Sequence, residues 1–266
     1  MPATSAPRPP GSLPATGHPA PPRRITAELL IVFGLSLGQS GVYAILNLTE
    51  KLSRGPLGAQ TSTLNPVLNN REYFDLAYQL LGILFALVPV ALVLFLLGGR
   101  GVSAFERLGF TFTRPLWTVG FGMGLAAVIA VGTLGVYAAG RALGITTAIV
   151  PAALDAYWWT VPVLILSAIR HGILEEVIVV GYLVTRLREL GWSAPAIIVV
   201  SAVTRGSYHL YQGFGPFIGN VLMGLLFAWF YTRTGRVMPL VIAHALIDTA
   251  GFVGFALLGP AIGIGG

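Results

Sequence analysis

The chain of 266 residues contains no cysteine. Disulfides, thiolate nucleophiles and cysteine-ligated zinc or iron–sulfur centres are therefore excluded, and any metal would need nitrogen and oxygen ligands. Charge is also scarce: 10% of residues are Asp, Glu, Lys or Arg against 55% hydrophobic, with a mean hydropathy of +0.79. An average soluble domain is about 25% charged, so this composition suits lipid rather than water. The formal charge is +6 and the pI near 10. The basic residues nevertheless occur singly or in pairs between apolar stretches. No basic face exists for nucleic acid, and the charges read as topology signals. No internal repeat is visible.

Residues 1–22 hold eight prolines among Ala, Gly, Ser and Thr, with no apolar run. They are expected to form a disordered Pro-rich cytoplasmic tail ahead of a single transmembrane domain, 23–266. A signal peptide would begin with its basic and apolar regions, so the first apolar helix is expected to stay in the protein. Crossing a bilayer core of about 30 Å takes roughly 20 helical residues. Seven segments reach that length, near 25–48, 73–98, 115–140, 159–185, 193–212, 214–232 and 237–258. An eighth at 145–158 is an alternative, although Pro151 and Asp155 interrupt it, and 101–112 suits the membrane interface. The expected fold is an all-α, polytopic transmembrane bundle. Alternate loops and the tail carry ten Arg (8, 23, 24, 100, 107, 114, 186, 188, 233 and 236), whereas the opposite loops carry Lys51, Arg54, Arg71 and Arg141. That asymmetry puts the N terminus in the cytoplasm of a multi-pass cell-membrane protein.

Polar residues inside the spans are the informative exception. Arg170, His171, Glu175 and Glu176 fall in span four, Arg205 and His209 in span five, and His244 and Asp248 in span seven. Each charge near the bilayer centre costs about 2.5–3.5 kcal/mol on insertion scales, so these groups need one another or a wet cavity. Glu28 and Asp75 lie near span ends, where snorkelling suffices, and Trp158-Trp159 reads as an interface anchor. His171 and Glu175, Arg205 and His209, and His244 and Asp248 are each spaced by four, which puts each pair on one helical face. Three polar stripes turned from lipid meet in one pocket. A carboxylate to accept a proton from water, an imidazole to hold that water and donors for an oxyanion are the parts of amide hydrolysis.

At these residues the chain resembles the CPBP family, the intramembrane proteases related to CAAX prenyl proteases and to bacteriocin-processing or abortive-infection proteins. Glu175-Glu176 resembles the first motif, Glu-Glu-x-x-x-Arg, His209 the second, Phe-x-x-x-His, and His244-Ala245-Leu246-Ile247-Asp248 the last. The resemblance covers roughly 159–250 and implies a catalytic core there. Two positions depart from it: Val180 stands in place of the arginine and Arg205 in place of the phenylalanine, which predicts that Arg205 pairs with Glu176. The resemblance implies an endopeptidase acting on a membrane-associated protein or peptide. Glu175 would be the base acting with His209 on water, His244 and Asp248 would meet the oxyanion, and Glu176 would support. His171 and Arg170 lie outside the motifs and are expected to tune the site; Asn220 is a packing candidate. The residues leave open whether the chemistry needs no cofactor or a divalent metal such as zinc held by Glu175, His209, His244 and Asp248. They also leave open a proton or solute pathway, or an immunity or scaffold role, for the same cluster.

Overall fold

The computed structural model describes residues 21–99, 101 and 103–258. Residues 1–20 of the expected tail lie outside them, and the first helix begins at Pro22, a residue suited to a first helical turn because its missing N–H has no intrahelical partner to lose. Eleven helices follow in this order: α1 (Pro22–Gly34), α2 (Leu37–Arg54), α3 (Glu72–Ala86), α4 (Val88–Leu97), α5 (Ala104–Arg107), α6 (Pro115–Ala142), α7 (Thr160–Glu175), α8 (Leu183–Glu189), α9 (Ala194–Ser207), α10 (Phe214–Thr234) and α11 (Met238–Leu258). A π-helical segment, Glu176–Tyr182, joins α7 to α8, so 160–189 is one continuous helical rod. The only strands among the described residues are β1 (Thr61–Thr63) and β2 (Ala148–Val150).

Among the described residues, four helical stretches are long and apolar enough to cross a membrane: Glu72–Leu97, Pro115–Ala142, Phe214–Thr234 and Met238–Leu258. The pair α1 and α2, bent by 54°, makes a fifth if counted as one span. Four or five of the expected seven thus qualify on length and composition alone. The two that drop out carry the polar residues. The 160–189 rod holds Arg170, Glu175 and Glu176 in one stretch, and α9, at 14 residues, rises only about 21 Å. Segment 145–158 is not an eighth span: it forms β2 and irregular chain around Pro151. Side chains such as Phe95 and Leu116 project freely from the outer surface, as a lipid-facing wall requires.

The bundle has two distinct ends. At one, β1 pairs in parallel with β2, Thr146 bridges Gly213, and Lys51 Nζ donates to Ser62 Oγ at 2.5 Å and to the Tyr211 carbonyl at 2.9 Å. At the other, the Val237 N–H donates to the Leu108 carbonyl, Arg107 pairs with Glu189, and Gly109, at φ +60°, backs so closely onto the Gly235 carbonyl that no Cβ would fit. Here Glu28 does not snorkel. It is buried between Arg24 at 2.9 Å and Arg186 at 2.6 Å, because Arg186 of α8 reaches inward to it and to the Leu96 carbonyl. Asp75 is buried as well, accepting the Leu68 and Asn69 N–H groups at the start of α3. Trp158 is exposed as an anchor would be, but Trp159 is buried.

The core is built around the π-helical segment. Val177, Ile178, Val179 and Val180 are all fully buried, packed with Val93, Leu97, Leu108, Phe227 and Leu240 from the surrounding helices. Glycines permit the closest approaches: a Cβ on Gly172 of α7 would lie 2.9 Å from the Val241 carbonyl of α11, and one on Gly224 of α10 would lie 2.7 Å from Ala202 Cα of α9. These contacts bring α7 against α11 and α9 against α10, which sets the spacing of the polar residues.

Candidate active site

Consecutive residues on a helix point about 100° apart. Glu175, the last residue of α7, and Glu176, the first of the π-helical segment, therefore address different neighbours. Segments of this kind, where they interrupt α-helices, frequently lie at functional sites. The Glu175 carboxylate faces the end of α9: its Oε2 accepts from the Tyr208 hydroxyl at 2.7 Å and from Arg205 Nη1 at 3.3 Å, and lies 3.9 Å from His209 Nε2. Its Oε1 receives no hydrogen bond among the described residues. Glu176, with no exposure at all, is held through one oxygen: Oε1 accepts from Arg205 Nη2 at 2.5 Å and from His244 Nδ1 at 2.6 Å. A carboxylate only accepts, so the His244 Nδ1 position carries the proton of that bond. Its other nitrogen, Nε2, is 3.6 Å from Asp248 Oδ2, and the same Asp248 oxygen is 3.3 Å from His171 Nδ1, outside hydrogen-bond geometry.

Arg205 joins the two carboxylates. Its guanidinium is wholly buried, touches both glutamates and lies over the Phe227 ring at 5.4 Å. The fork of planar N–H donors suits such bridging, where a lysine would offer one point charge. His209 sits past the end of α9, ahead of a single 3-10 turn at Leu210–Gln212, and its Nδ1 meets the Gln212 side chain at 3.3 Å. Its Nε2 is buried with no hydrogen-bond partner among the described residues.

The seven candidates therefore converge, but in two groups. Glu175, Glu176, Arg205, His209 and His244 form one contiguous cluster, while Asp248 and His171 make its extension along the face between α7 and α11. Arg170 bonds none of these side chains and donates instead to Ser167 Oγ at 3.3 Å. Asn220 is uninvolved, because its side chain bonds the Pro216 carbonyl of its own helix.

The residues that link α7, α9 and α11 are those of one sequence segment. Residues 157–250 match the family model of the type II CAAX prenyl endopeptidase Rce1-like family. The motif resemblance holds over that segment, which contains all seven candidates. Residues 157–250 are thus similar to a family of CAAX prenyl endopeptidases, in a chain with several helices long and apolar enough to cross a membrane. No curated protein and no solved structure matches the chain.

Within residues 157–250, Val180 is fully buried among apolar neighbours, and a guanidinium comes instead from Arg205 on α9. Tyr208 is a site residue that the spacing argument passed over. It lies three positions after Arg205, hence on the same face, but a tyrosine in an apolar run gives no sign that its hydroxyl is directed at a carboxylate. Among the described residues no three His, Asp or Glu side chains converge as a metal-ligand set. His244 Nδ1 is taken by Glu176, and Glu175 and Asp248 face different partners. Glu175, His209, His244 and Asp248 as arranged do not fit a zinc site.

Proposed function

We propose that this chain is an intramembrane endopeptidase in which Glu175 and His209 activate water against a peptide bond of a membrane-associated substrate. The observation that supports it best is the unpartnered, buried Nε2 of His209, 3.9 Å from a Glu175 carboxylate that has a free oxygen. Water hydrogen-bonded to both groups is oriented by the imidazole and deprotonated by the carboxylate. Its oxygen adds to the carbonyl carbon, the C=O π electrons move onto oxygen, and the proton held by Glu175 passes to the departing nitrogen as the C–N bond breaks. His244, fixed by Glu176 at Nδ1, donates to the oxyanion from Nε2 as the imidazolium, with the Asp248 carboxylate 3.6 Å from that nitrogen balancing its charge. Arg205 and Tyr208 hold the Glu175 carboxylate in place. With the N terminus in the cytoplasm, the β1–β2 end of the bundle faces outward.

The test is cleavage of quenched peptides, prenylated and unprenylated, by the detergent-purified protein. Glu175→Gln and His209→Ala are each expected to lower kcat at least 100-fold while leaving helicity and monodispersity unchanged, and cleavage by the wild type is expected to survive a chelator. Unchanged cleavage in both variants would return the cluster to a transport or scaffold role.

A further inference from the structure

Helix α2 presents three faces to its surroundings. Leu37, Gly41, Ala44 and Leu48 are buried against the bundle, and Gly41 is so near Ser207 that a Cβ would stand 3.0 Å from its hydroxyl. Val42, Ile45 and Leu46 are exposed apolar side chains, suited to lipid. Between these faces runs a polar flank of Ser40, Tyr43 and Asn47, with Gln39 at its edge. All four are exposed, and none of their side chains bonds any described residue. Gln39 lies about 18 Å along the helix from Lys51, which is tied to the β1–β2 end, so the flank extends into the bilayer core. Unpaired amides and hydroxyls at that depth are costly unless a partner satisfies them.

The flank does not face featureless surface. Gln39, Ser40, Tyr43 and Asn47, with Ala44, line an open cavity of about 290 Å³ that Tyr208 and Tyr211 also line. Tyr208 is the residue whose hydroxyl donates to Glu175. An occupant of the cavity therefore lies one side chain from the proposed catalytic carboxylate. The volume falls just short of the usual range of ligand sites, about 300–1,000 Å³, and admits a segment of chain rather than a folded body.

We infer that this cavity is where the substrate is held as an extended peptide, its backbone N–H and C=O groups paired by Gln39, Ser40 and Asn47. An extended backbone entering lipid brings unpaired donors and acceptors together, and carboxamides supply both. A transmembrane helix has already satisfied its own backbone and has no such need. The inference deepens the protease reading and rests on it for the substrate's identity as a peptide.

Two measurements test it. In cleavage assays, Asn47→Leu and Gln39→Leu are expected to raise KM at least fivefold with kcat within twofold of wild type, and Leu46→Ala, on the lipid face, to change neither. A purely structural role would instead lower Tm and kcat together. The cysteine-free chain also permits one unique label: Asn47→Cys in a Glu175→Gln background, carrying benzophenone maleimide, irradiated with a fluorescent peptide ending in a prenylated cysteine and three further residues. A peptide adduct suppressed by unlabelled peptide is expected. No adduct, or an adduct joining two copies of the chain, overturns the inference. If the adduct forms while the wild type cleaves nothing, the protease reading fails and the peptide site stands.

Discussion

Arg205 is the residue on which the charge balance of the cluster turns. It is fully buried and contacts both Glu175 and Glu176, so its removal strands two carboxylates away from water. Breaking a buried ion pair from one side costs about 3–5 kcal/mol, because the remaining charge is left without compensation. Arg205→Met is accordingly expected to lower thermal stability in detergent by that order, and Glu176→Gln added to it should restore part of the loss. Equal losses in the single and double variants would show that the pairing with Glu176 is not what Arg205 supplies. Tyr208 acts on the other carboxylate. A hydrogen bond to a charged group contributes about 1.5–3 kcal/mol. Tyr208→Phe keeps the ring in the cavity wall and deletes only the hydroxyl, so kcat is expected to fall by about tenfold with helicity intact. An unchanged kcat would remove Tyr208 from the positioning of Glu175.

At the scale of elements, the site depends on how closely two helix pairs approach. A Cβ on Gly172 would meet the backbone of α11 at Val241, and backbone cannot swing aside as a side chain can. Gly172→Val is therefore expected to separate α7 from α11, at a cost of about 1–3 kcal/mol typical of overpacking. That separation lengthens the contact between Glu176 and His244 and removes cleavage, while circular dichroism still reports a helical protein. Full activity in that variant would mean the cluster tolerates a wider spacing. The π-helical segment is the second element-level device. It lets Glu175 and Glu176 address α9 and both α9 and α11, respectively, from neighbouring positions, and it places the apolar run Val177–Val180 in the core.

At the scale of the molecule, the connections sort into two ends. One joins Lys51, the β1–β2 pair and the Tyr211 turn; the other joins Leu108, Glu189, Thr232 and Val237 with most of the arginines. From the distribution of Lys and Arg we propose that the second end faces the cytoplasm. A membrane-impermeant maleimide is expected to label Ala59→Cys in intact cells and Arg233→Cys only after permeabilisation. The opposite pattern would invert the orientation without altering the site.

The membrane class, most helical segments and the set of polar residues were legible in the sequence, because lipid leaves few solutions: long apolar helices, and buried charge only where charges meet. The four-residue spacings put Arg205 with His209 and His244 with Asp248 on shared faces, and in the structure each of those faces meets the cluster. The span count was less legible. Length and hydropathy fail where the site is, in the charged 160–189 rod and in the short α9, since the chemistry occupies residues that would otherwise face lipid. Arg205 meets the expected Glu176, but tertiary structure alone decided that it also reaches Glu175, brought Tyr208 to Glu175, buried Glu28 with Arg186, and set the polar flank of α2 beside Tyr208. Each of these is a contact between segments far apart in the chain, and residue spacing along one helix fixes faces but not the neighbour that a face will meet.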